Sequence, residues 1–435
     1  MPRSVKGLWV AGFAGAATLP LAVALVGSPP SGRGFVIELG SGFGIVALSV
    51  LALQLLLPAR VRPVTAWLGA EVAIRLHRRL ADLLVAAIVA HVALVVVGTP
   101  ANLALFDLLG APWRARAAFA SSAALAALVA SSVLRRRLRL SYARWRGLHL
   151  LLGLSALALA ILHALGVGRY LSSPAGLTVA ALAALAVLAV VQLRLLRPRR
   201  LAGRPYLIER LVPERGGATT LALRAEGHRG RAFRPGQFAW LKLADAPHAL
   251  AEHPFSYASS ASRPERPMFT IKAYGGFSRR IAQLAPGTRV MVDGPHGSYR
   301  PRPGAERLVF IAGGIGITPI VSLLRSAAEA GDRRPMLLLY GSLRWEEIIF
   351  REELERLERR LALRVVHVLT EPAVGWAGET GFIDLELLQR HLPCDPHRAD
   401  IFVCGPPAML APVLQGLDRL GVAREQVHAE QFATV

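Results

Sequence analysis

RLHRRLADLLVAAIVAHVAL, residues 75–94, carries two histidines fourteen positions apart, His77 and His91, in a mostly apolar run. GLHLLLGLSALALAILHALG, residues 147–166, repeats the arrangement with His149 and His163. In a helix, fourteen residues bring two side chains back to within about 40° of one face and place them ~21 Å apart along the axis. These are the only four of the twelve histidines that fall in the first 200 residues.

The histidines lie within a series of apolar stretches. A hydrocarbon core needs about 20 apolar residues as helix, and candidate spans read at about 7–26, 40–58, 80–97, 117–134, 147–166 and 174–196. The first is read as a retained helix: its apolar run is longer than that of a signal peptide, and no clear small-residue cleavage site follows. Basic residues set the orientation. Arg60, Arg62, Arg75, Arg78 and Arg79 lie between the second and third spans, RRRLRLSYARWR (135–146) between the fourth and fifth, and RLLRPRR (194–200) after the sixth. The alternate loops hold only Arg33, Arg114, Arg116 and Arg169. Positive-inside bias then predicts both chain ends in the cytosol of a multi-pass protein of the cell membrane.

The third and fifth spans therefore run in the same direction. His77 and His149 share an inner depth, His91 and His163 an outer one. Two levels of facing imidazoles suit two stacked haems, each held by a histidine pair. A single helical histidine is often a hydrogen-bonded core residue, but polar groups at membrane depth are costly and usually functional. A bare metal ion is a poorer fit, because no carboxylate or thiolate joins the set at ligand spacing. Arg75, Arg78, Arg144 and Arg146 either neutralise haem propionates or are ordinary positive-inside residues.

Charge supports the membrane reading. The first 200 residues hold 21 lysines and arginines against four acids, Glu38, Glu71, Asp82 and Asp107, and so carry +17 of the formal +22. A nucleic-acid binder would gather its basic residues on a soluble face with interleaved aromatics; here they flank apolar runs, and no nucleic-acid partner is expected. The two cysteines, Cys394 and Cys404, form no CxxC, which argues against an iron–sulfur cluster or structural zinc.

From about residue 203 the pattern changes. PYLIERLV, TTLALRAE, QFAWLKL, HPFSYASS, MFTIKAY and RVMVDGP are short alternating runs separated by turn residues, which predicts a small antiparallel barrel. After Glu306, RLVFIAG, MLLLYGS, RVVHVLT and DIFVCGP read as buried strands with helical runs between them, a doubly wound nucleotide-binding domain. The turn GGIGITP (313–319) follows a strand and opens a helix, where backbone N–H groups can hold a pyrophosphate.

HPFS, GGFS, GPHG, GGIGITP and CGPP occur in that order. With them the second half resembles ferredoxin–NADP reductase-type flavoproteins. With the six spans and histidine pairs in front, the whole chain resembles the ferric reductase and NADPH oxidase superfamily, in particular its short bacterial members. The resemblance implies a haem domain over 1–200, an FAD-binding barrel over 203–302 and an NAD(P)H-binding domain over 305–435. It implies that His253, Pro254, Phe255 and Ser256 hold the isoalloxazine, with Ser256 near N5, and that Gly276, Phe277 and Ser278 bind the FAD pyrophosphate. Gly313, Gly314, Gly316, Thr318 and Pro319 would take the nicotinamide nucleotide's pyrophosphate, and Cys404, Gly405 and Pro406 would flank the nicotinamide. Ser256, Cys404 and Glu430 are the candidate catalytic residues. Arg344 meets an NADPH 2′-phosphate or is a solvated surface arginine; it stands one position off the usual Ser–Arg pair, so the nucleotide is NADPH or NADH. Related chains often end Glu-x-Phe-x-aromatic; EQFATV fits at Glu430 and Phe432 but has Thr434 in the last matched position.

The expected cofactors are FAD, two b-type haems and NADPH or NADH. A nicotinamide gives two electrons as hydride and haem takes them singly, so FAD belongs between them. The expected function is electron transfer from cytosolic NAD(P)H across the bilayer to O2, giving superoxide, with ferric iron as the second candidate acceptor and no obligatory protein partner. A membrane-anchored flavin reductase without haem would lack a bis-histidine haem spectrum. A non-enzymatic membrane module would not consume NAD(P)H, and the flavin and nucleotide motifs argue against it.

Overall fold

The computed structural model describes residues 3–27, 32–59, 70–170, 174–243, 253–281, 283–302, 304–393, 395 and 398–431. The chain divides into two compact units, Met1–Arg197 and Pro198–Val435.

Among the described residues the first unit has six long helices: α1 (Arg3–Gly27), α2 (Phe35–Leu56), α3 (Ala70–Gly98), α4 (Trp113–Val133), α5 (Tyr142–Val167) and α6 (Pro174–Ala202), the last continuing into the second unit. Among the described residues, four segments are long and apolar enough to cross a membrane: Phe35–Leu56, Ala73–Gly98, Trp113–Val133 and Arg144–Val167. Most of the helices outrun the stretches that hydropathy marks. α2 starts at Phe35, and in its first turn Glu38, which lowers the local hydropathy, accepts a 2.6 Å hydrogen bond from the Tyr170 hydroxyl. α5 starts early because the Ser141 side chain accepts from the Arg144 N–H, and it stops at Gly168, which takes the left-handed conformation.

α2 packs against α3 and α4 against α5. Gly40 and Gly44 in α2, spaced as in GxxxG, permit the first approach. A Cβ on Gly40 would stand 3.0 Å from Leu94 Cβ. Ala47, Val50, Leu51, Leu84, Ala87, Leu125, Ala156 and Leu157 form the core of this unit.

The second unit begins with an antiparallel sheet in the order β4-β3-β6-β1-β2-β5. Its strands are β1 (Tyr206–Glu214), β2 (Ala218–Ala225), β3 (Phe238–Leu243), β4 (His253–Ser256), β5 (Met268–Lys272) and β6 (Arg289–His296). Pro254, which has no N–H to give to a ladder, lies on edge strand β4. A Tyr257–Phe269 bridge brings the two edges of the sheet towards each other, curling it into a barrel.

A second, parallel sheet follows in the order β10-β9-β8-β7-β11-β12. It comprises β7 (Arg307–Gly313), β8 (Met336–Ser342), β9 (Leu363–Leu369), β10 (Glu379–Thr380), β11 (Ala399–Gly405) and β12 (Val427–Gln431). Helices α8 (Ile317–Ala330), α9 (Arg351–Glu358), α10 (Leu385–His391) and α11 (Pro407–Arg419) accompany it; the short α7 (Gly276–Ile281) belongs to the barrel. β7 and β11 read as almost continuous apolar runs because both their faces are covered. The order reverses between them, and ligands of doubly wound sheets bind at such a switch point, beyond the carboxyl ends of the strands.

Candidate functional site

In the helical unit the four histidines form two facing pairs. The rings of His77 and His149 have centres 6.1 Å apart and are inclined at 57°; those of His91 and His163 are 6.3 Å apart at 68°. An imidazole nitrogen bonds a first-row transition metal at about 2.0–2.1 Å, so two rings on opposite sides of one metal hold their centres about 6 Å apart. Both pairs have that separation.

The outer nitrogens support the same use. His91 Nδ1–H donates to the Gly40 carbonyl at 2.8 Å, and His163 Nδ1–H to the Arg114 carbonyl at 2.9 Å. A carbonyl only accepts, so each ring is the Nδ1–H tautomer with a lone pair left on Nε2. The Ser132 hydroxyl donates to the Leu128 carbonyl at 2.7 Å and accepts from Trp145 Nε1 at 3.3 Å, so it also accepts the 3.2 Å bond from His149 Nδ1. Such outer bonds fix the ring orientation and raise the basicity of a metal-binding histidine. On α2, Gln54 Nε2 donates to the His77 carbonyl at 3.1 Å. Gly44 leaves room for the His91 ring, since a Cβ there would stand 2.8 Å from Nδ1. Gly44→Ala is expected to tilt His91 off Gly40 and weaken cofactor retention at that pair by about 10–100-fold; haem content per chain after dilution measures it.

Gly40, Gly44, Gln54, Ser132 and Trp145 were not singled out by the sequence; only the GxxxG spacing could have signalled the first two. Arg75, Arg78 and Arg144 are exposed near the His77/His149 end of their helices. Among the described residues, no three His, Cys, Asp or Glu side chains converge as a metal site.

In the second unit, β4 and α7 bring HPFS and GGFS together. The His253 ring stacks on Phe277 at 4.3 Å, and Phe255 lies nearly parallel to Phe277 at 6.2 Å. Ser256 is buried at 3% exposure, and its hydroxyl has no hydrogen-bond partner among the described atoms. A buried orphan hydroxyl is costly unless a ligand satisfies it, and a flavin edge has acceptors to offer. The Ser278 hydroxyl accepts from the N–H groups of Tyr274 and Gly275 at 3.0 and 2.9 Å, closing the GGFS turn.

GGIGITP and CGPP leave the adjacent ends of β7 and β11. A Cβ on Gly316 would collide with the Cys404 carbonyl, and one on Gly313 would stand 2.6 Å from Met409 Sδ. The backbone at both loops is thus bare, and the turn leads into the N-terminus of the fourteen-residue α8. Gly314 has φ +52°, and its carbonyl accepts from the Tyr340 hydroxyl. Thr318 and Pro319 are buried in the first turn of α8, where the Thr318 hydroxyl donates to the Ile315 carbonyl.

Cys404 pairs in register with Glu430 on β12. Phe238 pairs with Ser256, and Gly297 lies against both Phe238 and Glu430, so the three candidate catalytic residues lie along one connected stretch of contacts. Burial, with Cys404 and Glu430 adding to it, pushes the Tyr299 hydroxyl well above its usual pKa. Phe432 and Thr434 lie outside the described residues. Arg344 donates from Nε and Nη2 to Glu371 Oε2 at 2.9 and 2.5 Å, with both side chains exposed.

A parallel sheet with glycine loops at its switch point, a barrel that buries an orphan serine and a helical unit with two histidine pairs define a membrane redox protein with a nucleotide-binding module. Residues 43–166 match the ferric reductase like transmembrane component, and residues 310–415 the oxidoreductase NAD-binding domain. The chain is an oxidoreductase that joins a ferric reductase-like transmembrane domain to an NAD-binding oxidoreductase domain.

Among its relatives is the reductase component of propane 2-monooxygenase from Rhodococcus jostii, 30% identical over 237 residues, covering 52% of this chain and 63% of the relative. Another is NADH-cytochrome b5 reductase 1 from Mycosarcoma maydis, 30% identical over 174 residues, covering 38% and 54%. The chain thus spans between half and two thirds of the length of these relatives. Of solved structures, the ferredoxin reductase in carbazole 1,9a-dioxygenase is similar at 26% identity and TM-score 0.47, covering 53% of this chain and 69% of the other.

Proposed function

We propose that the protein carries electrons from cytosolic NAD(P)H across the cell membrane to an acceptor on the far side. The observation that carries this reading is the pair of histidine tiers, with ring centres 6.1 and 6.3 Å apart. FAD and two b-type haems, when bound, convert a hydride into single electrons and conduct them. His77 with His149 would hold the inner haem and His91 with His163 the outer one, through Nε2 at His91, His149 and His163. Holding each haem between two histidines, these residues would favour electron transfer over binding of a substrate. All six long helices are taken as spans, with both termini cytosolic, and domains 1–200, 203–302 and 305–435 hold haem, FAD and NAD(P)H respectively.

His253, Pro254, Phe255 and Ser256 would seat the flavin ring, with the Ser256 hydroxyl donating to its reactive edge, and Gly276, Phe277 and Ser278 would bind its pyrophosphate. Gly313, Gly314, Gly316, Thr318 and Pro319 would hold the dinucleotide, with Cys404, Gly405, Pro406 and Glu430 at the nicotinamide. We take O2 as the acceptor, giving superoxide, because in the six-span reading the outward links are short and leave little chain to build a site for a bulky iron chelate; ferric iron is the alternative. Anaerobic protein reduced with NADPH and then given oxygen or a ferric chelate separates the two by their haem reoxidation rates. Extraction should yield FAD; recovery of FMN contradicts the flavin assignment.

Nucleotide choice turns on Arg344. Glu371 occupies its fork, so a 2′-phosphate must displace a carboxylate of like charge, whereas NADH need not. Some relatives are named as NADH reductases, which agrees with tolerance of NADH. Glu371→Gln is expected to raise the NADPH-to-NADH ratio of kcat/KM by about tenfold, or ~1.4 kcal/mol. An unchanged ratio would remove Arg344 from the site.

A further inference from the structure

A cavity of about 210 Å³ opens in the barrel beside the end of α6. Leu201, Arg204, Tyr206, His228, Arg229 and Arg231 are on its wall, and none of the residues assigned to flavin or nucleotide is. The wall is made of donors. His228 is used up structurally: Nε2–H donates to the Pro205 carbonyl at 2.9 Å, and Nδ1 accepts from the Gly230 N–H at 3.0 Å. Those bonds fix the turn at 228–231. Arg231 is anchored by one nitrogen on the Gly294 carbonyl at 3.1 Å. The Tyr206 hydroxyl accepts from the Arg231 N–H at 3.1 Å and keeps its own hydrogen to donate. Arg204 and Arg229 have no carboxylate within ion-pair distance among the described residues. Glu226 is already engaged by Arg289 at 2.8 and 3.0 Å.

Three guanidinium groups and a phenol O–H around one cavity, with no acid on its wall, suit a multiply charged anion with several acceptor oxygens. Guanidinium forks match phosphate oxygens two at a time. The cavity follows directly on RLLRPRRLAGR, residues 194–204, a run with five arginines. In the six-span reading, on which this inference rests, that run ends the last span at the cytosolic surface, where acidic headgroups gather.

We propose that this cavity binds a phosphate group, presented by the headgroup of an acidic phospholipid of the inner leaflet. The test uses the full-length holoprotein in neutral detergent. Short-chain phosphatidic acid and, separately, inorganic phosphate are titrated calorimetrically into the wild type, Arg204→Gln/Arg229→Gln and Arg204→Lys/Arg229→Lys. The wild type is expected to bind one phosphatidic acid, the glutamine variant to bind it about 25-fold more weakly, fivefold for each arginine, and the lysine variant to recover part of the loss. Phosphatidic acid binding at least tenfold tighter than inorganic phosphate identifies the headgroup as the source; equal binding identifies free phosphate. No binding to the wild type, or equal binding by the glutamine variant with flavin and haem spectra intact, overturns the site. Haem reduction by NAD(P)H on the same samples reports on the electron-transfer reading separately, so either can fail without the other.

Discussion

Replacing His91 or His163 with alanine should remove one haem of two and cut electron delivery to the external acceptor by about a hundredfold or more, while NAD(P)H still reduces the flavin. Loss of an outer-shell partner alone typically costs about 10–100-fold in metal affinity or activity, and a missing axial nitrogen should cost at least that. The effect should stay local. The His77/His149 pair lies ~21 Å away along the helices, and the apolar core with Leu84, Ala87, Ala156 and Leu157 contains residues from between the two levels in sequence. His163 also keeps its carbonyl partner when His91 is lost, because its Nδ1 bonds to α4 and that of His91 to α2. Two haems per chain in either variant would show that the pair is not the ligand set.

Gly316→Ala should have the next largest effect and affect the nucleotide-binding module instead. The new methyl group would strike the Cys404 carbonyl, which belongs to the neighbouring central strand and cannot rotate away. Either α8 or the β11 loop must move, at about 1–3 kcal/mol of overpacking. Both loops are assigned to the nucleotide, so a displacement of ~1 Å should lower NAD(P)H-dependent flavin reduction by about a hundredfold. Reduction of the haems by dithionite should be unaffected. Wild-type hydride transfer by this variant would mean that the glycine serves chain packing only.

The sequence exposes some of these features more readily than others. The histidine pairs are legible because one number, fourteen, sets both their common face and their depth. Their approach to about 6 Å is not legible, since it depends on how α2 packs on α3 and α4 on α5. The Nδ1 partners are still less visible: two are backbone carbonyls, which every residue carries, and the third is Ser132, which shares one apolar helix with Ser121, Ser122 and Ser131. Strands β1 to β9 and β11 follow from alternation or from apolar runs. β10 has only two residues, too few to show a period, and β12 reads VHAEQ, whose polar residues hide a strand paired along β11. Hydropathy trims α2 at Glu38 because it cannot see Tyr170, 132 positions away, meeting the carboxylate. The tie between Arg344 and Glu371 is hidden for the same reason: β8 and β9 must pair before the two residues meet.

Reduction of the purified full-length protein by NADPH under anaerobic conditions, with haem counted chemically on the same sample, tests the central claim most directly. Two b-type haems per chain, both six-coordinate with bis-histidine Soret and α bands and both reduced by NADPH, is the predicted result. One haem or none per correctly folded chain would contradict it.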